Sequence, residues 1–69
     1  MEVGDLVCET WRDGDGQQRM KPLKKPVWRV AGWSGLAVCL ESLSGTTGVL
    51  ANPSDLRPAN ENEIAEARA

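Results

Sequence analysis

Turn-forming residues divide this chain into apolar segments that are all short. Glycine, proline, Asn or Asp interrupts the apolar runs, and this pattern predicts strands joined by turns. Residues 44–48 read as a hairpin turn, and residues 52–56 as a turn or a single 3₁₀ turn. The predicted strands are segments 3–11, 27–33, 36–43, 48–51 and 56–57.

The order of these segments predicts an all-β fold, namely a small five-stranded SH3-like barrel with a long first loop. A chain this short buries only ~60% of the surface that its unfolded form exposes, and closing the sheet removes exposed edges. We assign residues 1–58 to the barrel and residues 59–69 to an acidic tail, disordered or a short helix. Asn60 followed by Glu63 resembles a helix cap, but only Ile64 could anchor the helix, so we expect fraying.

The long first loop, residues 12–26, carries most of the positive charge. Between residues 16 and 40 there are five basic side chains and no acidic one, although the formal charge of the chain is −2. Pro22 and Pro26 remove backbone donors, which favours an extended loop or edge. Loops of this length are often functional, but a solvated loop that keeps an apolar edge soluble is the alternative.

The composition argues against catalysis and against metal binding. The chain has no histidine and no tyrosine, and its two cysteines, Cys8 and Cys39, form no zinc-binding pattern. Without a histidine partner, neither thiol has support as a nucleophile. We therefore expect no catalytic residue, no metal and no cofactor. No segment has the ~20 apolar residues of a membrane span. A disulfide between Cys8 and Cys39 is possible in principle, but we expect both cysteines to be reduced in a cytoplasmic protein.

Parts of this sequence resemble two known protein families. Gly4-Asp5 in the first strand, Gly32-Trp33 and the ending 56–58 resemble Tudor-like and KOW-like barrels across residues 3–58. The resemblance implies an SH3-like binding module. Plasmid-borne type II dihydrofolate reductase, a homotetramer of such barrels around a shared pore, is similar in residues 3–5, 30, 32–33, 37–38 and 41–42. That family has Val-Gln-Ile-Tyr where this chain reads Val-Leu-Ala-Asn at 49–52, so the cofactor-binding and substrate-binding Gln and Tyr are missing.

Tryptophans beside the basic loop suggest a binding platform. By strict alternation, Trp28 shares the core face of its strand with Val30, whereas Trp33 shares the opposite face with Arg29. Trp11 leads into the loop and is expected to close over the same side. Exposed aromatics can stack on bases or line a peptide groove. The predicted binding residues are Trp11, Arg19, Lys21, Lys24, Lys25, Arg29 and Trp33.

These features indicate a non-enzymatic binding module, a small bacterial, plasmid or phage accessory protein that contacts nucleic acid or an acidic protein surface. One alternative is a type II dihydrofolate reductase-like oligomeric oxidoreductase, which binding of a nicotinamide cofactor would test. The other is a protein inhibitor or adaptor, which the salt dependence of nucleic-acid retention would separate. Ala37 and Cys39 are expected to face outward, so a homo-oligomer is a further expectation.

Overall fold

The computed structural model describes residues 1–13 and 23–68. Strands are its main elements, which confirms the prediction of a small, mostly β fold. The strands are β1 (Leu6–Glu9), β2 (Trp28–Ser34), β3 (Ala37–Ser42), β4 (Gly48–Ala51) and β5 (Leu56–Pro58). The described helices are two 3₁₀ helices, Thr10–Asp13 and Pro53–Asp55, and one α-helix, α1 (Glu61–Arg68).

The five strands form one antiparallel sheet in the order β4-β3-β2-β1-β5. β2, β3 and β4 are neighbours in sequence and in the sheet, as expected for strands joined by short turns. β1 lies between β2 and β5, since Val7 lies opposite Trp28 on β2 and Pro58 on β5. The first and last strands of the chain are therefore neighbours in the sheet. β4 and β5 are therefore the outer strands, and only residues 52–55 connect them.

One face of the sheet carries the apolar core. On β3, buried Val38 and Leu40 alternate with partly exposed Ala37 and Cys39, which confirms the predicted inward and outward sides of this strand. Trp28 is only 1% exposed, so its assignment to the core is also confirmed. The buried cluster consists of Val7, Trp28, Val30, Val38, Leu40, Ala51 and Leu56.

β2 contains a bulge between Val30 and Gly32. Before the bulge, Val30 lies opposite Leu40; after it, Trp33 lies opposite Val38. Directly opposed residues share a face of an antiparallel sheet, so Trp33 lies on the same face as the core residue Val38. An extra residue in one strand reverses the alternation that follows it, and this bulge does so for Trp33.

The predicted pairing of Trp33 with Arg29 on one face is therefore wrong. Arg29 precedes the bulge and lies opposite Glu41, on the outer face of the sheet. Trp33 is nevertheless 49% exposed, near the end of β2. Gly32 indicates a bend in this strand, but it does not specify an extra residue, so strict alternation did not anticipate the reversal.

Neither of the two cysteines takes part in a disulfide. Cys8 lies on β1 and Cys39 on β3, and β2 runs between them. Strands lie ~4.8 Å apart, so two steps across the sheet separate the two residues by about 10 Å or more. Their Cα atoms are therefore too distant for a disulfide, which requires less than ~7 Å.

β1 is shorter than the predicted segment 3–11. Gly4 has a φ of 97°, a conformation that favours glycine, and the Asp5 amide donates to the Glu2 carbonyl at 3.0 Å. A turn therefore precedes the strand, and the 3₁₀ helix Thr10–Asp13 follows it.

The C-terminal segment contains a helix. Of the two alternatives predicted for residues 59–69, the described part has the short helix, α1. Across residues 1–13 and 23–68, none of the helices has both the length and the apolar composition that crossing a bilayer requires.

Candidate binding site at the basic end of the sheet

A buried carboxylate holds the base of the long loop. Glu9 is fully buried on the core face of β1, two residues after Val7, and its Oε2 accepts a hydrogen bond from the Leu23 amide at 3.2 Å. Leu23 also packs against the core. The chain therefore leaves the sheet after Glu9 and returns beside it at Leu23, which places both ends of the segment at one end of the sheet. Sequence reasoning missed Glu9, although its spacing from Val7 was a signal that it faces inward.

Two lysines follow this anchor, just before β2. Lys24 and Lys25 are both exposed, and neither forms a salt bridge with another described residue. The Lys25 carbonyl accepts a hydrogen bond from the Trp28 Nε1 at 2.8 Å, so the backbone of the pair is tied to a core side chain. We call this part of the molecule, where β1 ends and β2 begins, the basic end.

A cleft of about 310 Å³ lies beside Lys25. Its lining combines apolar, hydroxyl and charged groups contributed by the start of β2, the β3–β4 turn and α1. The lining residues are Lys25, Pro26, Val27, Ser42, Leu43, Ser44, Glu66 and Ala67. We refer to it as the cleft.

Ser42 organises the wall of the cleft that the β3–β4 turn provides. Its side-chain oxygen accepts hydrogen bonds from the amides of Thr46 and Thr47, each at 3.2 Å. Gly45, with a φ of 76°, allows the chain to reverse between Ser42 and Thr46. Because Ser42 is 2% exposed, these bonds satisfy a buried hydroxyl and hold the turn in one conformation.

α1, which forms another wall, begins with a reciprocal cap. The Asn60 side chain accepts from the Glu63 amide at 2.8 Å, and the Glu63 carboxylate accepts from the Asn60 amide at 2.9 Å. This arrangement satisfies two backbone donors that the first turn of a helix otherwise leaves unpaired. The cap suggested by the sequence is thus present.

The same carboxylate attaches α1 to the sheet. Arg57 on β5 donates from both terminal nitrogens to the two Glu63 oxygens, each at 2.9 Å, and the Cys8 thiol contacts Glu63 Oε2 at 3.5 Å. The hydrogen bonds from Arg57, followed by the one from the Asn60 backbone, lower the pKa of Glu63 from 4.5 to about 2. A bidentate ion pair of this kind fixes orientation as well as position.

The ion pair that attaches α1 predicts how the unfolding free energy of the protein depends on pH. A carboxylate whose pKa is lowered by folding stabilises the protein above its unfolded pKa, and the stabilisation is lost as the pH falls through the folded pKa. Replacing Glu63 by Gln should therefore cost about 2 kcal/mol at neutral pH, a value reduced for the 23% exposure of the carboxylate. The difference in unfolding free energy between wild type and Glu63→Gln, measured with urea, should shrink between pH 4.5 and about 2. A difference that stays constant over this range would contradict the role of the ion pair.

The predicted site residues divide between two parts of the molecule. Arg19 and Lys21 lie outside the described residues. Lys24 and Lys25 are exposed at the basic end, and partly exposed Trp11, in the 3₁₀ helix that follows β1, belongs to the same end. This follows from the antiparallel pairing, which places the end of β1 beside the start of β2.

Trp33 lies apart from this group, whereas Arg29, the second residue of β2, lies close to it but is engaged by Glu41. Trp33 is five residues beyond Trp28 along β2, which corresponds to about 17 Å, so it lies toward the opposite end of the sheet. Arg29 is paired with Glu41 at 3.1 Å and donates to the Leu43 carbonyl at 3.4 Å. The described residues therefore do not assemble the platform of Trp11, Trp33 and Arg29 that the sequence suggested, because the bulge and the length of β2 separate Trp33 from the other two.

No group of three or more metal-binding side chains is close enough to hold an ion within the part of the chain that the structure describes.

Comparisons with protein-family models, with curated proteins and with solved structures each find no match to this chain.

Proposed function

We propose that the five strands curl into a small SH3-like barrel. The support comes from the link between the outer strands, because only four residues separate Ala51 on β4 from Leu56 on β5. In a flat five-stranded sheet these strands would lie about 19 Å apart. The link contains the 3₁₀ helix Pro53–Asp55, which rises only ~2 Å per residue, so it spans much less than that distance. Curling the sheet brings the two edges within its reach.

The core supports the same proposal. Ala51 and Leu56, from the two opposite edges of the sheet, belong to one buried cluster. Their shared core is expected when the sheet curls around a single interior, since a flat sheet would keep its edges apart.

We propose that this barrel is a non-enzymatic binding module for an acidic segment of a partner protein, which docks at the basic end. The observation that carries the proposal is the composition of the cleft. Lys25 lies beside an apolar floor that includes Pro26, Val27 and Leu43, together with hydroxyl groups. Such a lining suits a peptide that offers both carboxylates and small apolar side chains, because charge complementarity and apolar burial then act together.

A nucleic-acid partner has less support from the same geometry. Stacking on bases needs exposed aromatic faces beside the cationic groups. At the basic end, Trp28 is buried and Trp11 is only partly exposed, while the exposed Trp33 lies toward the other end of β2. The basic side chains Arg19 and Lys21 remain predicted contributors to the site, outside the described residues.

The proposal predicts that the lysine pair contributes to the binding of an acidic peptide. Replacing Lys24 and Lys25 by alanine should weaken the binding of a short labelled peptide of Glu, Ile and Ala by roughly tenfold at low salt. The double variant should remain folded because both side chains are exposed. Fluorescence anisotropy measures the affinity. A single Lys25→Ala variant is also made, so that it can be compared with a control variant of equal net charge.

The matched control is Ser34→Asp, which changes the net charge by the same amount as Lys25→Ala but at an exposed position at the far end of β2. This control should bind the peptide within about twofold of wild type, because exposed charges separated by more than ~10 Å are largely screened. Equal losses in Lys25→Ala and Ser34→Asp would refute the proposal. Preferential binding of a labelled oligothymidylate, weakening steeply with salt, would establish the nucleic-acid alternative.

A further inference from the structure

α1 brings acidic side chains to the basic end of the molecule. The helix carries Glu61, Glu63 and Glu66 but has no buried residue. Glu66 and Ala67 line the cleft together with Lys25. The C-terminal half of α1 therefore presents a carboxylate and a small apolar side chain to the surface that we assign to an acidic partner.

The two halves of α1 are held differently. In the first half, Glu63 takes part in the helix cap and in the bidentate pair with Arg57. In the second half, the side chains of Glu66 and Arg68 form no hydrogen bond or salt bridge with any described residue. A helix of eight residues is marginally stable in water without tertiary contacts, so its weakly attached half opens at low free-energy cost.

From these observations we propose that the second half of α1 is an intramolecular competitor for the cleft. This inference rests on the proposed function. The Asn60–Glu63 cap and Arg57 act as the fixed attachment. The segment bearing Glu66 and Ala67 forms one wall of the cleft, and its carboxylate competes for Lys25 until an acidic partner segment displaces it. Because the competitor is tethered, its effective concentration is high, and the apparent affinity for the partner is reduced by the fraction of molecules in which this segment is in place.

A charge change on α1 tests the competition. Glu66→Gln removes the carboxylate that faces the cleft and leaves the Arg57–Glu63 attachment unchanged. We expect it to raise the affinity for the labelled Glu/Ile/Ala peptide by roughly three- to tenfold. The matched control is Glu2→Gln, which changes the net charge equally at an exposed residue of the N-terminal turn, beside the later part of β2. The control should bind within about twofold of wild type.

A charge-neutral change separates displacement of the helix from simple repulsion. Ala65 is exposed, so Ala65→Gly alters no contact with the core but lowers helix stability by about 1 kcal/mol, which corresponds to about fivefold in the opening equilibrium. If the second half of α1 competes with the partner for the cleft, this variant should bind the peptide up to fivefold more tightly. Hydrogen exchange of the α1 amides should accelerate while the amides of β2 and β3 stay protected.

The outcomes distinguish this inference from the function on which it rests. Tighter binding by both Glu66→Gln and Ala65→Gly supports a displaceable competitor. Peptide binding by wild type with no gain in Ala65→Gly overturns the inference but leaves the binding module intact, whether or not Glu66→Gln shows a gain. Absence of peptide binding in wild type and in both variants overturns the proposed function itself.

Discussion

Replacing Trp28 by alanine should unfold the protein or leave it close to its unfolding midpoint at 25 °C. The side chain is 1% exposed on a central strand, and its indole nitrogen donates to the Lys25 carbonyl at 2.8 Å. Removing a buried tryptophan costs about 3–5 kcal/mol through lost burial and the cavity left behind. A single core of this size rarely supplies more than about 3–5 kcal/mol of net stability, so the loss matches the whole margin.

Urea denaturation followed by circular dichroism measures this effect. Trp33→Ala is the matched control, since it removes the same side chain at a site that is 49% exposed, and it should cost about 1 kcal/mol or less. Trp28→Phe keeps most of the apolar volume but loses the hydrogen bond to Lys25, and we expect an intermediate loss of about 1–2 kcal/mol. A Trp28→Ala protein as stable as the Trp33→Ala protein would contradict the assignment of Trp28 to the core.

Replacing Glu9 by alanine should destabilise the protein by about 2–4 kcal/mol, an unusually large effect for a glutamate. The carboxylate is fully buried and accepts from the Leu23 amide at 3.2 Å. Its removal leaves that amide without this acceptor and creates a cavity on the core face. Glu9→Gln keeps a carbonyl oxygen in the same place, so it should recover part of the loss.

Two measurements test the role of Glu9. Unfolding free energies of Glu9→Ala and Glu9→Gln give the stability effect, and Glu2→Ala, at an exposed glutamate, should change the stability by less than about 0.5 kcal/mol. Hydrogen exchange of the Leu23 amide should accelerate in Glu9→Ala more than exchange of the Val30 amide, which donates to the Asp5 carbonyl at 2.8 Å. Unchanged exchange at Leu23 would show that Glu9 does not hold the base of the loop.

The succession of elements along the chain and most of their positions were predictable because their signals are local. β4 spans the predicted residues 48–51, and the predicted 3₁₀ turn within residues 52–56 is present at Pro53–Asp55. Glycine, proline and Asx residues set these boundaries through the backbone angles that they allow or exclude. Alternation likewise identified the buried side of β3 correctly, because the extra residue of the β2–β3 pair lies on β2 and β3 itself is uninterrupted.

The candidate site was only partly predictable. Lys24 and Lys25 are exposed as expected, but the bulge at Ala31 and the length of β2 separate Trp33 from them. Glu9 was overlooked because its role depends on a contact with Leu23, which lies 14 positions later in the chain. Such contacts between distant residues leave only weak signals in a single sequence.

The sequence by itself determined where this chain turns, which stretches become strands and where basic and acidic residues are concentrated, since each of these follows from local composition. The tertiary structure decided which charged side chains form stabilising contacts and which line the cleft. It buried Glu9 against the Leu23 amide, joined Arg57 to Glu63 and placed Glu66 at the cleft beside Lys25. The physical reason is that an ion pair or a buried hydrogen bond depends on distance and desolvation, and both are set only when strands that are far apart in sequence come together.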